Sequence, residues 1–424
     1  MNTQINSVMP VADAHPRICM HAPSAVGGHP LYVQELLTAL SRHPRGGERF
    51  ELVSGSDLVG QFRTDAYPVH AILPRLPRKS EFRTRFGWVM NRLRHYPQMD
   101  RLFLEWARQR PDIAGVHFQE FSLSLARLCR GLRRLGKTVF YTVHNIRPHA
   151  YPPIVPRRVW DGWNRQACLA CDRLIVHTER LRDDLSTFLG QPHPPIDITS
   201  HGVWQSPRVG PAPTIDERLG WKRLLFFGTI RRNKGLDLLL DAAGSSLRDF
   251  SFTIAGEARE ADYFRNEVRP RVEQLRAKGV SVNLIDRFVP ENEVGPLFAS
   301  HSAIVLPYTS QFTAQSGVVF LALAHELPVV ASNAGGIGDL FDRFTIGVTY
   351  STHTPDALAA AVRACFAGAG KTDIARNLRA ARECFSWEAA AAATLASYAA
   401  GCRKPYPEEA NDRVIASIAA HQHA

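Results

Sequence analysis

The chain has 424 residues, with 51 Lys and Arg against 40 Asp and Glu, which gives a formal net charge of +11. This length exceeds what one hydrophobic core usually serves, so two domains are expected, and the apolar content of 45% is ordinary for a globular protein. The charge favours an anionic partner: a nucleotide, a nucleic acid or an anionic membrane surface. No run of 18 apolar residues and no signal-peptide pattern occurs, so we expect a cytoplasmic protein behind a flexible leader at 1–16.

The seven cysteines are odd in number and scattered, which indicates reduced thiols. Cys168 and Cys171 form a C-x-x-C pair, but no second pair stands at zinc-site spacing. We therefore predict that both are small core residues of a helix.

The N-terminal half alternates apolar strand candidates with helical patterns, which predicts a parallel sheet with crossover helices. Its first unit is a strand, a turn that contains Gly27 and Gly28, and a helix from Leu31 onward. The two glycines would allow a ligand to approach the backbone beside a helix N-terminus. The strand candidates are 17–22, 50–54, 113–118, 138–144 and 173–178.

Residues 75–110 hold ten basic and three acidic side chains, so most of the net charge lies in this segment. Apolar residues, among them Phe86, Trp88 and Met90, are interleaved with the charges. This composition fits peripheral contact with an anionic bilayer, and it equally fits a solvated helix face with a few core aromatics.

His144 follows the strand candidate 138–144 at its carboxyl end, where doubly wound sheets bind ligands. A lone histidine is by default a structural hydrogen-bonding group, so a functional role for His144 is one of two interpretations. His177 and His201 stand in similar but weaker contexts.

Residues 205–220 are rich in Pro and Gly and lack periodicity, which predicts a linker. After the linker the order of strand, turn and helix restarts. We therefore predict an N-terminal Rossmann-like domain at 17–204 and a C-terminal one at 221–385. A last helix at 386–424 has Ser386 as its expected N-cap.

Two loops of the second domain have the composition of phosphate-binding loops. The first places the cations Arg231 and Lys234 between Gly228 and Gly235, directly after a strand. The second opens into an apolar helix through small residues, and its binding candidates are Gln315, Ser316, Gly317 and Val318. Each loop alone could face solvent, but both in one sheet favour a diphosphate site.

The order of these motifs resembles that of the GT-B glycosyltransferases, specifically the retaining, nucleotide-sugar-dependent glycosyltransferase family four. The matching pieces include T-V-H-N-I-R-P-H, F-F-G-T-I-R-R-N-K-G-L, A-I-V-L-P-Y, Q-S-G-V and L-P-V-V-A-S-N-A-G-G-I-G-D-L. The resemblance spans nearly the whole chain. It implies an α/β fold of two doubly wound, Rossmann-like domains that face a cleft, with the nucleotide sugar held mainly by the C-terminal domain and the acceptor by the N-terminal one.

The resemblance also implies roles for particular residues. Arg231 and Lys234 would neutralise the donor diphosphate and stabilise the leaving group, and His144 would contact the donor sugar. The amides of 315–318 would hold the distal phosphate, and the glycines at 27 and 28 would face the donor. No cofactor and no metal is expected, since the sequence has no D-x-D motif.

The family often carries E-x7-E where this chain has Thr313 and Leu321. The first glutamate of that motif usually touches the donor sugar and the second the ribose. Since Leu321 cannot accept a hydrogen bond, we expect ribose to be recognised by other groups.

The expected function is sugar transfer from a nucleoside diphosphate sugar to a lipid-linked or glycan acceptor in bacterial surface-polysaccharide synthesis, with retention of configuration. The alternatives are a soluble small-molecule acceptor, or a non-catalytic protein that binds nucleotide sugar or glycan. No nucleic acid partner is expected. A Rossmann oxidoreductase fits less well, because neither half has G-x-G-x-x-G followed by an acidic residue.

Overall fold

A computed structural model describes residues 16–23, 29–44, 49–58, 62, 64–77, 81–148, 155–204, 213–312, 315–367 and 371–402. The predicted leader, the glycines at 27 and 28, Thr313 and the tail beyond 402 therefore lie outside the described residues, apart from residue 16 of the leader.

The N-terminal sheet has seven strands, all paired in parallel. They are β1 (Arg17–Ala22), β2 (Phe50–Gly55), β3 (Val69–Leu73), β4 (Ile113–Phe118), β5 (Thr138–Thr142), β6 (Arg173–Val176) and β7 (Ile196–Ile198). The helices between them are α1 (His29–Arg42), α2 (Arg85–Arg108), α3 (Leu125–Arg134), α4 (Arg157–Leu169) and α5 (Glu179–Leu189). The strand order is β3-β2-β1-β4-β5-β6-β7.

The C-terminal sheet has six parallel strands. They are β8 (Arg223–Phe227), β9 (Ser251–Ala255), β10 (Val282–Ile285), β11 (Ala303–Leu306), β12 (Val329–Ser332) and β13 (Gly347–Tyr350). Its helices are α6 (Ile215–Gly220), α7 (Leu236–Ser245), α8 (Ala261–Tyr263), α9 (Arg269–Ala277), α10 (Glu291–Ala299), α11 (Gly317–Ala324), α12 (Ile337–Arg343), α13 (Pro355–Phe366) and α14 (Lys371–Cys384). The strand order is β10-β9-β8-β11-β12-β13.

Both sheets are doubly wound, because the strand order reverses direction beside their first strands, β1 and β8. In such a sheet the crevice for a ligand opens outside the carboxyl ends of the strands, at this reversal. The predicted α/β class and its two Rossmann-like sheets are therefore confirmed. The β1/β4 and β8/β11 junctions are the places where a site is expected.

Two strands, β3 and β7, are absent from the sequence prediction. Both lie at the edges of the N-terminal sheet, and neither has the run of fully buried residues that marks a central strand. Edge strands of this kind give a weak periodic signal, because one side of the strand is not covered by a neighbour.

The predicted linker at 205–220 is wrong in its last part, since 215–220 form helix α6. Thr214 caps this helix through a capping box, a local signal that the Pro and Gly content of the segment obscures. Arg218 of α6 is buried and donates to the carbonyl oxygens of His301 (2.9 Å) and His325 (3.0 Å). Helix α6 therefore packs on the C-terminal sheet as part of that domain.

The last described helix, α15 (Trp387–Gly401), returns to the N-terminal domain. Ser386 caps it by accepting a hydrogen bond from the Ala389 amide, as predicted. Tyr398 of α15 shares a 2.6 Å hydrogen bond with His117 of β4, and α15 packs along α1. The helix thus ties the end of the chain to the first sheet.

Candidate functional site

The loop between β8 and α7, residues 228–235, is called here the cationic loop. Gly228 (φ +108°) and Gly235 (φ +62°) adopt left-handed conformations, and Arg232–Lys234 form one turn of 3-10 helix between them. A Cβ atom on Gly235 would overlap the carbonyl oxygen of Pro307 at the end of β11. The amide of Thr309 donates to the carbonyl of Asn233 (3.1 Å). The loop is therefore held directly against the β8/β11 junction.

Lys234 points its ammonium onto two aromatic rings. The Nζ atom lies 3.6 Å from the ring centroid of Tyr308 and 4.0 Å from that of Phe312. Among the described residues, no carboxylate lies within ion-pair distance of Lys234 or Arg231. Burial, and then the cation of Arg231, lower the pKa of Lys234 well below its usual value. Burial also lowers the pKa of Arg231.

Arg232 behaves differently, although it lies between these two residues. It forms an ion pair with Glu267 and stacks over the ring of Tyr263, away from the junction. Among the described residues, two cations of the cationic loop therefore form no ion pair, although the carboxylate of Glu260 acts on Arg231 from beyond ion-pair distance, and the third is paired. Two partly desolvated cations of like charge favour an anion bound beside them.

The N-terminus of α11 forms the other part of the site. Ser316 occupies the N-cap position, but its hydroxyl pairs with the Tyr308 hydroxyl (3.0 Å) and does not cap the helix. The first-turn amides of α11 consequently have no side-chain cap, and the helix dipole adds partial positive charge to them. Trp204 donates from Nε1 to the Gly317 carbonyl (2.9 Å) and fixes this end of the helix.

Together the two loops form one candidate anion site. A Cβ atom on Gly228 would lie only 3.3 Å from the Val318 side chain, so the two loops are close neighbours and Gly228 leaves little space between them. Tyr308 contacts both loops. The ammonium of Lys234 lies over its ring, and its hydroxyl shares a hydrogen bond with the hydroxyl of Ser316. The structure thus brings together the sequence-predicted residues of both loops, Gly228, Arg231, Lys234, Ser316, Gly317 and Val318. Sequence reasoning missed Tyr308, whose signal was an aromatic residue directly after a buried strand.

His144 lies in a second group of rings, called here the histidine–aromatic cluster. The cluster consists of His29, Tyr32, His144, His177, His201, Trp204, Phe320 and Trp387. Phe320 belongs to α11, and its ring stacks on His201 at 4.5 Å. The cluster therefore connects the carboxyl end of β5, where His144 lies, to the helix of the anion site.

The histidines of the cluster are neutral at physiological pH. Burial lowers the pKa of His177 to about 4 and that of His201 to about 3. The pKa of His144 falls well below its usual value, first by burial and then by the neighbouring His29. These side chains therefore act as uncharged hydrogen-bonding groups. His144 is no cation that could neutralise a phosphate.

Two other predicted binding features have different outcomes. Gln315 directly precedes the N-cap residue of α11, and its buried Oε1 has no hydrogen-bond partner in the described part of the chain. Leu321 is half-buried and packs against the apolar core. The apolar side chain of Leu321 offers no hydrogen-bond acceptor to a ribose hydroxyl. Ribose recognition by other groups stays a prediction.

Within the described ranges, no group of three or more His, Cys, Asp or Glu side chains is arranged to hold a metal ion. The expectation of metal-independent chemistry stays a prediction. No helix in the described part of the chain is long and apolar enough to cross a bilayer.

Gly235→Ala is expected to destabilise the protein by more than about 2 kcal/mol, because the methyl group overlaps Pro307 and φ is left-handed. Thermal unfolding measures the loss. The matched control is Gly162→Ala inside α4, where a Cβ meets nothing within 4 Å and alanine favours the helix by about 1 kcal/mol. Equal melting temperatures for the two variants would contradict the tight contact at Gly235.

Comparison with known proteins extends this picture. Two family profiles match the chain: Glycosyltransferase Family 4 over residues 26–206, and Glycosyl transferases group 1 over residues 221–367. The chain is 26% identical to a D-inositol 3-phosphate glycosyltransferase of Paenarthrobacter aurescens, over 89% of this chain and 95% of that protein. It is 29% identical to a glycogen synthase of Mycobacterium tuberculosis, over 56% of each. The chain thus spans little more than half the length of that synthase.

Among solved structures, sucrose-phosphate synthase from Thermosynechococcus elongatus has the same fold, with a TM-score of 0.70 at 15% identity over 90% of this chain and 98% of the other. Anabaena HepE, solved in complex with UDP and glucose, gives a TM-score of 0.65 at 16% identity, over 90% of this chain and 100% of that one. Two doubly wound parallel sheets with flanking helices are the GT-B class of fold, which these solved structures share. The two profiles together cover more than half of the chain. The chain therefore belongs to the GT-B glycosyltransferases and is similar to their family four.

Proposed function

We propose that the protein transfers a sugar from a nucleoside diphosphate sugar to an acceptor, with retention of the anomeric configuration. The observation that carries this proposal is the pair of cations, Arg231 and Lys234, which form no ion pair among the described residues and lie near the uncapped N-terminus of α11. Breaking the bond between the sugar and the diphosphate builds negative charge on the leaving group. Fixed cations and amides stabilise that charge without reorganisation.

In this mechanism Lys234 and Arg231 bind the diphosphate and hold its growing charge. The amides of Gly317 and Val318 bind the distal phosphate. His144, which is neutral, binds a hydroxyl group of the sugar. The resemblance to retaining GT-B enzymes implies that departure and attack share one face of the sugar, so no carboxylate nucleophile is assigned.

The first test is a thermal-shift panel of UDP, GDP and ADP and their sugars, followed by transfer or donor hydrolysis with the nucleotide that binds. A bound nucleoside diphosphate at 100 times its Kd adds about 2.7 kcal/mol of stability. Stabilisation together with turnover supports the proposal. Stabilisation with neither hydrolysis nor transfer would favour a non-catalytic binding protein, and no stabilisation by any nucleotide would overturn the donor site.

For the acceptor we propose a lipid-linked or glycan molecule, reached from an anionic membrane in bacterial surface-polysaccharide synthesis. The support is the exposed face of α2, on which Phe86 is 70% and Met90 42% exposed. Both residues lie in the first two turns of α2. A crossover helix begins at the carboxyl edge of its sheet, so these apolar side chains lie toward the same edge as the ligand crevice.

Neighbouring helices extend this surface. Helix α3 packs against both α2 and α4. Val159 and Trp163 are exposed in the first two turns of α4 (41% and 38%), and Arg130 and Arg134 are exposed on α3. Exposed apolar side chains and exposed arginines on adjoining helices fit the interface of an anionic bilayer, where each cation contributes about 1 kcal/mol.

Replacing Arg94 and Arg101, two exposed arginines of α2, by Glu is expected to weaken binding to phosphatidylglycerol vesicles at least about 30-fold, since two favourable charges are lost. Vesicle co-sedimentation measures the change. The control is Arg248→Glu with Arg379→Glu, which changes the same charge at exposed positions of the C-terminal domain. Equal losses of vesicle binding in both double variants would show that net charge alone accounts for the effect. Unchanged binding in the α2 variant would contradict the membrane proposal.

A soluble, phosphorylated polyol is the second candidate acceptor. The observation that favours it is the D-inositol 3-phosphate glycosyltransferase relative, whose similarity extends over 89% of this chain. Transfer to inositol phosphate without vesicles would support this acceptor. Transfer only to vesicle-borne polyprenyl-linked sugar would support the membrane acceptor.

A further inference from the structure

His144 and His177 form a hydrogen-bonded pair at the carboxyl ends of neighbouring strands. Strands β5 and β6 run side by side, and each of the two histidines follows the end of its strand by one or two residues. The Nδ1 atom of His144 lies 3.0 Å from the Nε2 atom of His177. A bond between two imidazoles requires one nitrogen to donate and the other to accept.

The far side of His177 decides which nitrogen donates. Its Nδ1 atom lies 2.9 Å from the backbone carbonyl oxygen of Thr199, which can only accept. His177 therefore carries its proton on Nδ1. Because burial keeps the ring neutral, it has one N–H, and its Nε2 atom is left as a lone pair.

The same reasoning applies to the ring of His144. Since Nε2 of His177 accepts, Nδ1 of His144 donates, and the neutral ring of His144 has no proton on Nε2. The one side-chain neighbour described for that atom is Oε1 of Gln119 at 3.4 Å, which would favour a proton on Nε2. The shorter contacts at 2.9 and 3.0 Å outweigh it, and with Nε2 unprotonated this pair of acceptors forms no hydrogen bond. The lone pair on Nε2 is therefore available to a group that donates a hydrogen bond.

We infer that His177 is a positioning residue, which fixes His144 in its Nδ1–H form so that Nε2 accepts a hydrogen bond from a hydroxyl group of the donor sugar. The inference rests on the proposed function, since it takes the nucleotide sugar as the ligand of His144. The groups around the pair are His29, Tyr32, His117 and His201, none of them charged at neutral pH. Among the described residues that act on the pair, no charge competes with the carbonyl of Thr199 for control of the tautomer.

The tautomer itself is measured without any substrate. In protein labelled with 15N-histidine, an unprotonated ring nitrogen resonates well downfield of a protonated one, and His144→Gln assigns the signals. We expect an unprotonated Nε2 and a protonated Nδ1 at His144. A protonated Nε2 in the wild-type protein would overturn the inference, whatever the enzyme turns over.

Two substitutions at His177 separate positioning from packing. His177→Leu removes the acceptor, so the Nε2 signal of His144 should move toward the protonated position and KM for the donor should rise about 10-fold, the value of one hydrogen bond of about 1.4 kcal/mol. His177→Gln keeps an acceptor oxygen beside His144 and should recover most of both losses. A Leu variant that loses activity while the His144 signal stays in place would show a structural role only.

The last experiment measures donor affinity in the double variant His177→Leu, His144→Ala and compares it with His144→Ala alone. If His177 acts through His144, the second substitution adds no further loss of donor affinity. An equal loss in both backgrounds would overturn the inference. Failure of the proposed function would look different: no nucleotide sugar would be turned over by the wild-type protein, while the 15N signals would still show the Nδ1–H form of His144.

Discussion

Lys234→Met is expected to lower kcat/KM for the nucleotide sugar by about 10²–10³-fold and to raise the melting temperature of the unliganded protein. The methionine keeps the length of the side chain on the rings of Tyr308 and Phe312 but removes the charge that would hold the leaving diphosphate. Removing a partly desolvated cation without a carboxylate partner relieves a cost of folding. Initial rates and thermal unfolding of the same preparation measure both effects.

The stability effect has a defined dependence on pH. Burial lowers the pKa of Lys234 in the folded protein below its value in the unfolded chain. Between those two pKa values the unfolded chain binds the proton more strongly, so the contribution of Lys234 to stability becomes less unfavourable as the pH rises. The melting temperatures of wild type and Lys234→Met should therefore converge in alkaline solution.

The matched control is Arg232→Met in the same loop. Arg232 is exposed and paired with Glu267, so its loss should change turnover only a few-fold. Unchanged turnover in Lys234→Met, or equal losses in the two variants, would contradict the assignment of Lys234 to the leaving group.

Gly317→Val is expected to weaken nucleoside diphosphate binding at least about 100-fold while leaving the fold intact. A Cβ atom at this position meets only Trp204, at 3.7 Å, which is ordinary contact. The two further methyl groups of valine must occupy the space between Trp204 and the first amides of α11. Each charge-assisted hydrogen bond lost there is worth about 1.5–3 kcal/mol, so two account for the loss.

Gly317→Ala is the control, because it also removes the conformational freedom of glycine but does not fill that space. We expect it to bind the nucleotide within a few-fold of wild type, as measured by calorimetry. Equal effects of Ala and Val would show that backbone freedom, and not the space beside the amides, is what Gly317 provides. The sequence also predicts a mild effect for Thr313→Ala, a position outside the described residues.

The positions of the two candidate loops could be predicted from the sequence because their signal is local. The cationic loop and the loop at 315–318 each have glycine, cation or small residues directly between a strand and a helix, and the structure places both at the β8/β11 junction. Linker prediction failed at α6 for the opposite reason. The Pro and Gly content of the segment predicted irregular structure. The carbonyl oxygens that bind Arg218 and hold α6 in place belong to residues 83 and 107 positions away, which local composition does not report.

The sequence by itself determined the alternation of strands and helices, the two parallel sheets and the loops with phosphate-binding composition, because apolar period and turn chemistry act over a few residues. Only the tertiary structure decided that Lys234 rests on Tyr308, 74 positions later, and that His177 sets the proton of His144, 33 positions earlier. Such contacts depend on which strands become neighbours in the sheet. The charge and tautomer of a group are set by those neighbours, whose identity no local pattern encodes.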